Sequence, residues 1–376
     1  MPPMPDALEL TRQLIRLDTI NPPGNEEPAA RLLGELLSAA GLEVSYPRLC
    51  ENRCGLVARL AGARPGPALI ATGHLDTVPL GNAPWSVEPH AGLVKGGKLY
   101  GRGASDMKSG VAALAVAALG LAGEPRGGGD IILAFTAGEE TGSQGASQMV
   151  GAGLLPARAG ALLVAEPSGN QAFLGHKGAL WLECVASGKS AHGSMPHLGD
   201  NAIYKAARAA ASLEDFFREA EDVPPLGRPT INVGTFSGGS KINMVPDQAS
   251  FQVDLRSVPG LEHGALRGRL QDHLGGAIAV RTLIDLPAVL TDPGDPWIVS
   301  CLGTMARLWG GRPEPGYVNF FTDASVFTPA LGHPPTLILG PGDPGQAHQT
   351  DEWCLADNIG QAARLYQEIG RQWWGL

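Results

Sequence analysis

The chain has 376 residues, 44% hydrophobic and 17% charged, a composition typical of a globular protein rather than a disordered one. Its 28 Lys and Arg against 37 Asp and Glu give a net charge of −9. That balance argues against a nucleic-acid-binding or anionic-membrane surface, because both need clustered basic residues. The longest weakly polar run, 110–123, is shorter than the ~20 residues that a membrane-spanning helix requires.

The first ten residues, MPPMPDALEL, lack a basic region followed by an apolar stretch, so we expect no secretory signal. The five cysteines are odd in number and scattered, which favours reduced thiols in a cytoplasmic protein. At about 150 residues per domain, the length predicts two to three domains.

The first half of the sequence alternates helical patterns with short apolar runs. Apolar residues at i, i+3 and i+4 predict helices over 6–17 and 26–40. Apolar runs bounded by Gly, Pro or charge predict strands buried on both faces at 56–60, 68–72, 131–136 and 161–165. Helices are predicted between them at 105–121 and 142–150. Strands that alternate with helices indicate an α/β fold with a mostly parallel sheet sandwiched by helices.

The pattern changes after about residue 178. The predicted order there is strand 179–187, helix 201–220, strands 230–237 and 249–257, helix 261–274 and strand 278–284, a ferredoxin-like β-α-β-β-α-β unit. The α/β pattern then resumes with helix 296–308, strand 335–339 and helix 355–374. We therefore predict one α/β domain formed by 1–177 and 291–376, interrupted by an inserted domain at 178–290.

Side chains that can bind a metal follow several predicted strands. His74 and Asp76 in GHLDTVP lie two apart on an extended segment and so point to the same side. A metal-bound imidazole that donates to a carboxylate is one use of such a pair, and a pair that only satisfies a strand end is the other. Asp106 in GRGASDMKSG opens a helix, where a capping acid is the alternative.

Three further segments repeat this theme: Glu139 and Glu140 in GEETGS, Glu166 in AEPS, and His348 in AHQTDE. Adjacent carboxylates at a strand end are unfavourable unless a cation or proton separates their roles, although a helix-start cap is again the alternative. Five ligand-type groups at separate strand or loop ends are harder to dismiss, because α/β folds place their sites there. Two His and three carboxylates, one of them bridging, would give two zinc ions three protein ligands each and leave a position for water.

These motifs, in this order and spacing, resemble the co-catalytic zinc amidohydrolases over essentially the whole chain. That family includes acetylornithine deacetylase, succinyl-diaminopimelate desuccinylase, carboxypeptidase G and the aminoacylases. The resemblance implies metal-dependent hydrolysis of the amide bond of an N-acyl-L-amino acid. A dipeptidase or carboxypeptidase is the alternative within the same chemistry, and a non-catalytic metal-binding homologue is the alternative of another class.

The resemblance also implies a ligand set. His74 and Glu166 would hold one Zn²⁺, Glu140 and His348 would hold the other, and Asp106 would bridge the two. Co²⁺ or Mn²⁺ would substitute, since carboxylate-rich sites are permissive. A cis peptide bond is expected after Asp106.

Catalytic roles follow from the same resemblance. Asp76 would orient His74, and Glu139 would be the general base. Neighbouring side chains diverge, so Glu140 can ligate while Glu139 faces the water. His192 in SAHGSMP would reach a neighbouring active site across a homodimer formed through the inserted lid domain, with a surface-loop histidine as the alternative.

Substrate contacts are implied as well. Asn243 and Arg256 would grip the carboxylate of a small-molecule substrate, which an Arg fork binds bidentately. Lys177 and Thr322 match weaker substrate-contact positions, and for these, as for Asp323, a hinge or helix-cap role is an equal alternative. No nucleic-acid or membrane partner is expected.

Overall fold

The computed structural model describes residues 6–311 and 313–376, which form two compact units. The first unit takes in Met1–Gly175, Leu290–Gly316 and Thr322–Leu376, and the second takes in His176–Val289 and Tyr317–Phe321. Residues 1–5 and 312, which fall in the predicted α/β domain, lie outside the described residues.

Helices and strands follow one another along the whole of the described chain. In chain order they are α1 (Ala7–Ile15), α2 (Glu27–Ala39), β1 (Glu43–Ser45), β2 (Arg48–Cys50), β3 (Arg53–Cys54), β4 (Leu56–Leu60), β5 (Ala68–His74), β6 (Leu93–Lys95), β7 (Lys98–Tyr100), α3 (Lys108–Ala122), β8 (Ile131–Thr136), α4 (Gln144–Gly151), β9 (Ala159–Val164), β10 (Phe173–His176), β11 (Gly178–Ser187), β12 (Ala191–His192), α5 (Ala202–Ser212), β13 (Thr230–Gly238), β14 (Met244–Val245), β15 (Gln248–Ser257), α6 (His263–Leu274), β16 (Ile278–Leu286), β17 (Val289–Leu290), α7 (Pro296–Trp309), β18 (Gly316–Val318), α8 (Ala324–Ala330), β19 (Thr336–Ile338), β20 (Trp353–Leu355) and α9 (Ala356–Trp374).

The large sheet of the first unit is parallel at its centre. Its strand order is β1-β4-β8-β5-β9-β19-β10-β17, and β18 pairs with β10. Strands β8, β5, β9 and β19 run parallel, while β1, β4 and β10 pair antiparallel towards the edges. Strands β5 and β8 are buried along their whole length, as expected for strands covered on both faces. The predicted α/β class with a mostly parallel sheet is confirmed.

Helix α3 is the innermost helix of the first unit. It is rich in Ala, which favours helix, and its small side chains let it pack closely against β5, α1 and α9. Gly110 marks the closest approach, because a Cβ there would lie 2.2 Å from the main-chain oxygen of Ala165. The helix thereby lies directly against the end of β9.

The second unit contains a four-stranded antiparallel sheet in the order β13-β15-β11-β16. Alternate residues of β15 are buried, and side chains of α5 and α6 share the same apolar core, so both helices cover one face. The element order β-α-β-β-α-β is the predicted one. Its role as a lid stays a prediction.

Several boundaries differ from the predicted ones, three of them with a structural consequence. The helix predicted over 201–220 ends at Ser212, whose hydroxyl donates to the oxygen of Ala209, and a 3₁₀ turn follows. The helix predicted from residue 105 begins at Lys108. Residues 317–321, predicted within the α/β domain, belong to the second unit, where the ring of Phe321 lies edge-on to Trp181.

No helix among the described residues combines the length and the apolar character needed to cross a membrane.

Replacement of Gly110 by Ala tests this close packing. Alanine favours helix, but here its Cβ would meet the Ala165 oxygen, so we expect Gly110→Ala to lower the free energy of unfolding by about 1–3 kcal/mol. Gly360→Ala in α9 is the matched control, since no atom lies within 4 Å of the position that its Cβ would take, and it should stabilise by about 0.4–1 kcal/mol. Urea unfolding followed by circular dichroism measures both. A Gly110→Ala protein as stable as Gly360→Ala would contradict the packing.

Candidate metal centre

The candidate ligands come from the carboxyl ends of neighbouring parallel strands. His74 is the last residue of β5 and pairs with Thr136, the last residue of β8. Glu139 and Glu140 follow β8, and Glu166 lies two residues beyond β9. Because the carboxyl ends of parallel strands share one edge of the sheet, these side chains converge there.

Asp106 lies between the two imidazoles. One of its oxygens, Oδ1, is 3.0 Å from His74 Nε2, and the other, Oδ2, is 3.4 Å from His348 Nε2. Glu166 Oε1 is 3.8 Å from His74 Nε2, and Glu140 Oε2 is 3.2 Å from His348 Nε2. The structure thus brings together all five predicted ligands, in two groups that share Asp106.

The alternative role of Asp106 as a helix cap does not match this geometry. No side chain caps the start of α3, and the Asp106 carboxylate faces the two histidines instead. The Asp106–Met107 peptide bond is cis, as expected from the resemblance.

The carboxylates of the cluster are held in a buried environment. Burial, together with the charge of nearby acids, raises the pKa of Glu166 and of Glu139 well above the usual value, and burial raises the pKa of Glu140. Burial acts on Asp106 in the same direction, but hydrogen bonds from His348 and His74 outweigh it and lower its pKa. Hydrogen bonds to Asp106 and Glu140 raise the pKa of His348 to about 10. The two imidazoles therefore oppose the effect of burial on the pKa values of these four carboxylates.

The donor set fits divalent cations. Ligand atoms of His74, Asp106 and Glu140 lie within 4.8 Å of one another. Among the described residues, Oε1 of Glu139 and Oε1 of Glu140 are buried without a hydrogen-bond partner. Buried acceptors are ordinarily paired, so these oxygens indicate a group that the chain itself does not supply. Imidazole and carboxylate together are ligands that zinc accepts.

Asp76 contacts His74 through its main chain and uses its carboxylate elsewhere. His74 Nδ1 is bonded to the main-chain oxygen of Asp76 at 2.9 Å, whereas the nearest carboxylate oxygen of Asp76 is 3.7 Å away. That carboxylate accepts the main-chain N–H groups of Gly138, Glu139 and Glu140 at 2.9, 3.1 and 3.3 Å. Asp76 thus orients His74 through its backbone and fixes the glutamate loop through its side chain.

Thr322 and Asp323 have local structural contacts. The hydroxyl of Thr322 accepts the N–H of Ala324 at 3.1 Å at the start of α8, in keeping with the helix-cap alternative. Thr136 donates its hydroxyl to Asp323 at 2.5 Å, and burial raises the pKa of Asp323 to about 6.

The other predicted site residues lie in the second unit. His192 and Asn243 are exposed on neighbouring segments, since β12 pairs with β14 and Gly193 donates to the Asn243 main-chain oxygen at 2.8 Å. Arg256 forms an ion pair with Asp254 at 2.9 Å. Lys177 Nζ donates to the main-chain oxygen of Arg228 at 2.5 Å.

Sequence reasoning missed two residues that hold the site in place. Asn21 donates to the carboxylate of Asp76 at 2.9 Å. Glu352, which ends the AHQTDE motif, accepts from the Asp106 main-chain N–H at 3.0 Å. No local pattern indicates either contact, because each joins residues far apart in the sequence.

Comparison with known proteins identifies the family. The model of peptidase family M20/M25/M40 matches residues 70–372. The chain belongs to this family. It is therefore a hydrolase, and His74, Asp106 and Glu140 form a possible metal-binding site in it.

Individual members of the M20/M25/M40 family resemble the whole chain. A probable succinyl-diaminopimelate desuccinylase of Staphylococcus aureus strain Mu50 is 28% identical over 390 residues, covering 94% of this chain and 96% of the relative. An acetylornithine deacetylase of Vibrio cholerae is 29% identical over 383 residues, covering 96% and 97%. An M20 family metallo-carboxypeptidase of Sulfolobus solfataricus shares the fold with a TM-score of 0.82 and 19% identity, over 99% of this chain and 100% of the other.

The contacts of Asp76 generate a stability prediction. Asp76→Asn turns one acceptor oxygen into an N–H₂ group that faces bound amides, so we expect the free energy of unfolding to fall by about 2–4 kcal/mol. Asn21→Ala removes one donor and leaves the three amide bonds in place, and should lower it by only about 1 kcal/mol. Urea unfolding measures both variants. An Asp76→Asn protein within about 0.5 kcal/mol of wild type would contradict this, because that is the effect of a neutral surface change.

Proposed function

We propose that this M20/M25/M40 hydrolase is a dinuclear metal enzyme that cleaves the amide bond of N-acyl-L-amino acids and releases a carboxylic acid and a free amino acid. The carrying observation is the placement of Asp106 between His74 and His348, each with its own glutamate. The names of the two relatives that match nearly the whole chain, a desuccinylase and a deacetylase, support the substrate class.

The ligand assignment follows from the two halves of the cluster. His74 and Glu166 would hold one Zn²⁺, Glu140 and His348 the other, and Asp106 would give one oxygen to each. The chemistry that such a pair supplies when bound is activation of water near neutral pH and polarisation of the substrate carbonyl. The unpaired buried oxygen of Glu140 supports this assignment.

Glu139 is assigned as the general acid and base. Its side chain is buried beside the proposed ligands. Burial and the charge of Glu166 raise the pKa of Glu139, and a raised pKa suits a carboxylate that must both accept and donate a proton near neutral pH. It takes a proton from the attacking water and delivers it to the leaving amine. The Asp76 carboxylate, by binding the Glu139 N–H, keeps this carboxylate in place.

Arg256 and Asn243 are assigned to the substrate carboxylate. The guanidinium of Arg256 is fixed by Asp254 and lies 5.8 Å from the centre of the Phe321 ring. A guanidinium held in this way loses little freedom when it binds a carboxylate. Lys177 and Thr322, whose polar groups already bind main-chain atoms, stay weaker predictions.

A homodimer is proposed through the second unit. Strand β13 lies at the edge of its sheet and exposes Phe236, and Tyr204 and Ile242 elsewhere in the unit are exposed as well. An exposed edge strand offers unpaired main-chain groups to a second copy. In this arrangement His192 of the partner subunit would donate to the oxyanion formed from the substrate carbonyl.

A substrate panel tests the proposed activity. The protein is assayed with zinc or cobalt on N-acetylornithine, N-acetyl-lysine, N-succinyl-diaminopimelate, other N-acyl amino acids and simple dipeptides, with release of the free amine as the readout. We expect turnover of an N-acyl amino acid and little turnover of dipeptides. Cleavage of dipeptides alone would instead establish the peptidase alternative, and no turnover of any substrate by metal-loaded protein would favour the non-catalytic one.

Variants of the two adjacent glutamates distinguish the general base from a metal ligand. Glu139→Gln should lower kcat by about 10²–10⁴-fold, since it removes the proton-transfer group, while zinc content measured by atomic absorption stays near that of wild type. Glu140→Gln should lose metal. Loss of metal in Glu139→Gln would reassign Glu139 as a ligand.

The partner-subunit role of His192 has its own test. His192→Ala should lower kcat by about 100-fold, the effect of losing one oxyanion donor, whereas His197→Ala, at a nearby exposed histidine, should change it little. Co-expression of His192→Ala with Glu139→Gln should restore about one quarter of the wild-type rate, because half the dimers are mixed and each has one intact site. No recovery in purified mixed dimers would rule out action across the dimer.

A further inference from the structure

The carboxylate of Glu352 lies four residues beyond His348 and is fully buried. Its oxygen Oε1 accepts the main-chain N–H of Ser105 at 2.7 Å and of Asp106 at 3.0 Å. Its oxygen Oε2 accepts the N–H of Gly103 at 3.0 Å and Nη1 of Arg102 at 2.7 Å. All four donors belong to the segment that ends in Asp106.

Arg102 connects the same segments from the other side. It is also buried, and beyond its ion pair with Glu352 it donates to the main-chain oxygen of Gln349 at 3.2 Å. Gln349 directly follows His348. The segment of Asp106 therefore donates hydrogen bonds to the segment of His348 at two places, the Glu352 carboxylate and the main-chain oxygen of Gln349.

These contacts explain why α3 begins late. The N–H groups of Gly103, Ser105 and Asp106 donate to Glu352 instead of to preceding carbonyls, so this stretch is not helical. A buried carboxylate is stable only when its lone pairs are hydrogen-bonded, and bonds to a charged acceptor are the strong ones. Glu352 consequently fixes the backbone of Asp106, while the carboxylate of Asp106 faces the two histidines.

We propose that Glu352 is a positioning residue that sets the distance between Asp106 and His348 required for a pair of divalent cations. The inference rests on the proposed function, in which those two residues are ligands. Glu352 reaches no cation itself: its oxygens are occupied by the four donors. It acts through Asp106, as groups that orient metal ligands do.

Glu124 supplies a matched control. It lies just beyond the opposite end of α3 and accepts Nε and Nη2 of Arg371 at 2.7 and 2.6 Å, which ties that end of the helix to α9. Glu124→Gln weakens an Arg–carboxylate pair of the same unit without touching a ligand-bearing segment. Glu352→Gln keeps the shape of the side chain but removes its charge and one acceptor.

The experiment measures cation affinity directly. Zn²⁺ and Co²⁺ are titrated into the metal-free full chain against a chelator, with the visible absorption of Co²⁺ and the melting temperature as further readouts. We expect Glu352→Gln to weaken affinity by about 10–100-fold and to alter the Co²⁺ spectrum, while Glu124→Gln leaves both unchanged. Affinity and spectrum unchanged in Glu352→Gln, or affinity that merely follows melting temperature across both variants, would overturn the positioning role.

A measurement on the wild type covers the case in which Glu352→Gln does not fold. Hydrogen exchange of the amides in 103–106 and 349–352 should slow together when Zn²⁺ is added, because the two segments are joined through Glu352. Amide exchange rates in 103–106 that stay the same when Zn²⁺ is added would overturn the inference. If the wild type bound no divalent cation, the proposed function would fail; if only Glu352→Gln behaved as wild type, the positioning role alone would fail.

Discussion

The candidate site of the first unit depends on carboxylates gathered at the carboxyl-terminal edge of its parallel strands. Asp106, Glu139 and Glu166 are buried and Glu140 is half-buried, and the imidazoles of His74 and His348 lie among them. Carboxylates removed from water are unfavourable unless they gain a proton, a hydrogen bond or a cation. Two divalent cations held as proposed would neutralise Asp106, Glu140 and Glu166, while the raised pKa of Glu139 suits a group that carries a proton.

Two further carboxylates hold this arrangement without being proposed as ligands. Asp76 binds the amides of the glutamate loop, and Glu352 binds the amides of the segment before α3. Each takes up main-chain donors that no regular structure satisfies, and each fixes the backbone from which a proposed ligand or base projects. The loops of the site are thereby held by hydrogen bonds to buried carboxylates.

The second unit is built on a different principle. Its sheet is antiparallel and covered by helices on one face, so the alternation of buried and exposed residues follows each strand. The predicted contacts to substrate and partner subunit, His192, Asn243 and Arg256, all lie in this unit. Arg256 is held by Asp254 and Phe321, and Phe321 comes from a short segment that returns to the unit late in the chain.

The sequence by itself determined the α/β class, the order of the main helices and strands in both units, and the five candidate ligands that converge. Buried parallel strands read as continuous apolar runs. The five ligand-type residues each have an alternative role on their own, and it was their combination at separate strand or loop ends, with the family resemblance, that indicated a metal site. Only the tertiary structure decided that the Asp76 carboxylate binds the glutamate loop, that α3 begins at Lys108 rather than Ser105, and that Glu352 joins Asp106 to the segment of His348. These features depend on hydrogen bonds between segments distant in the chain, and such bonds follow from where the backbone passes rather than from any pattern of neighbouring residues.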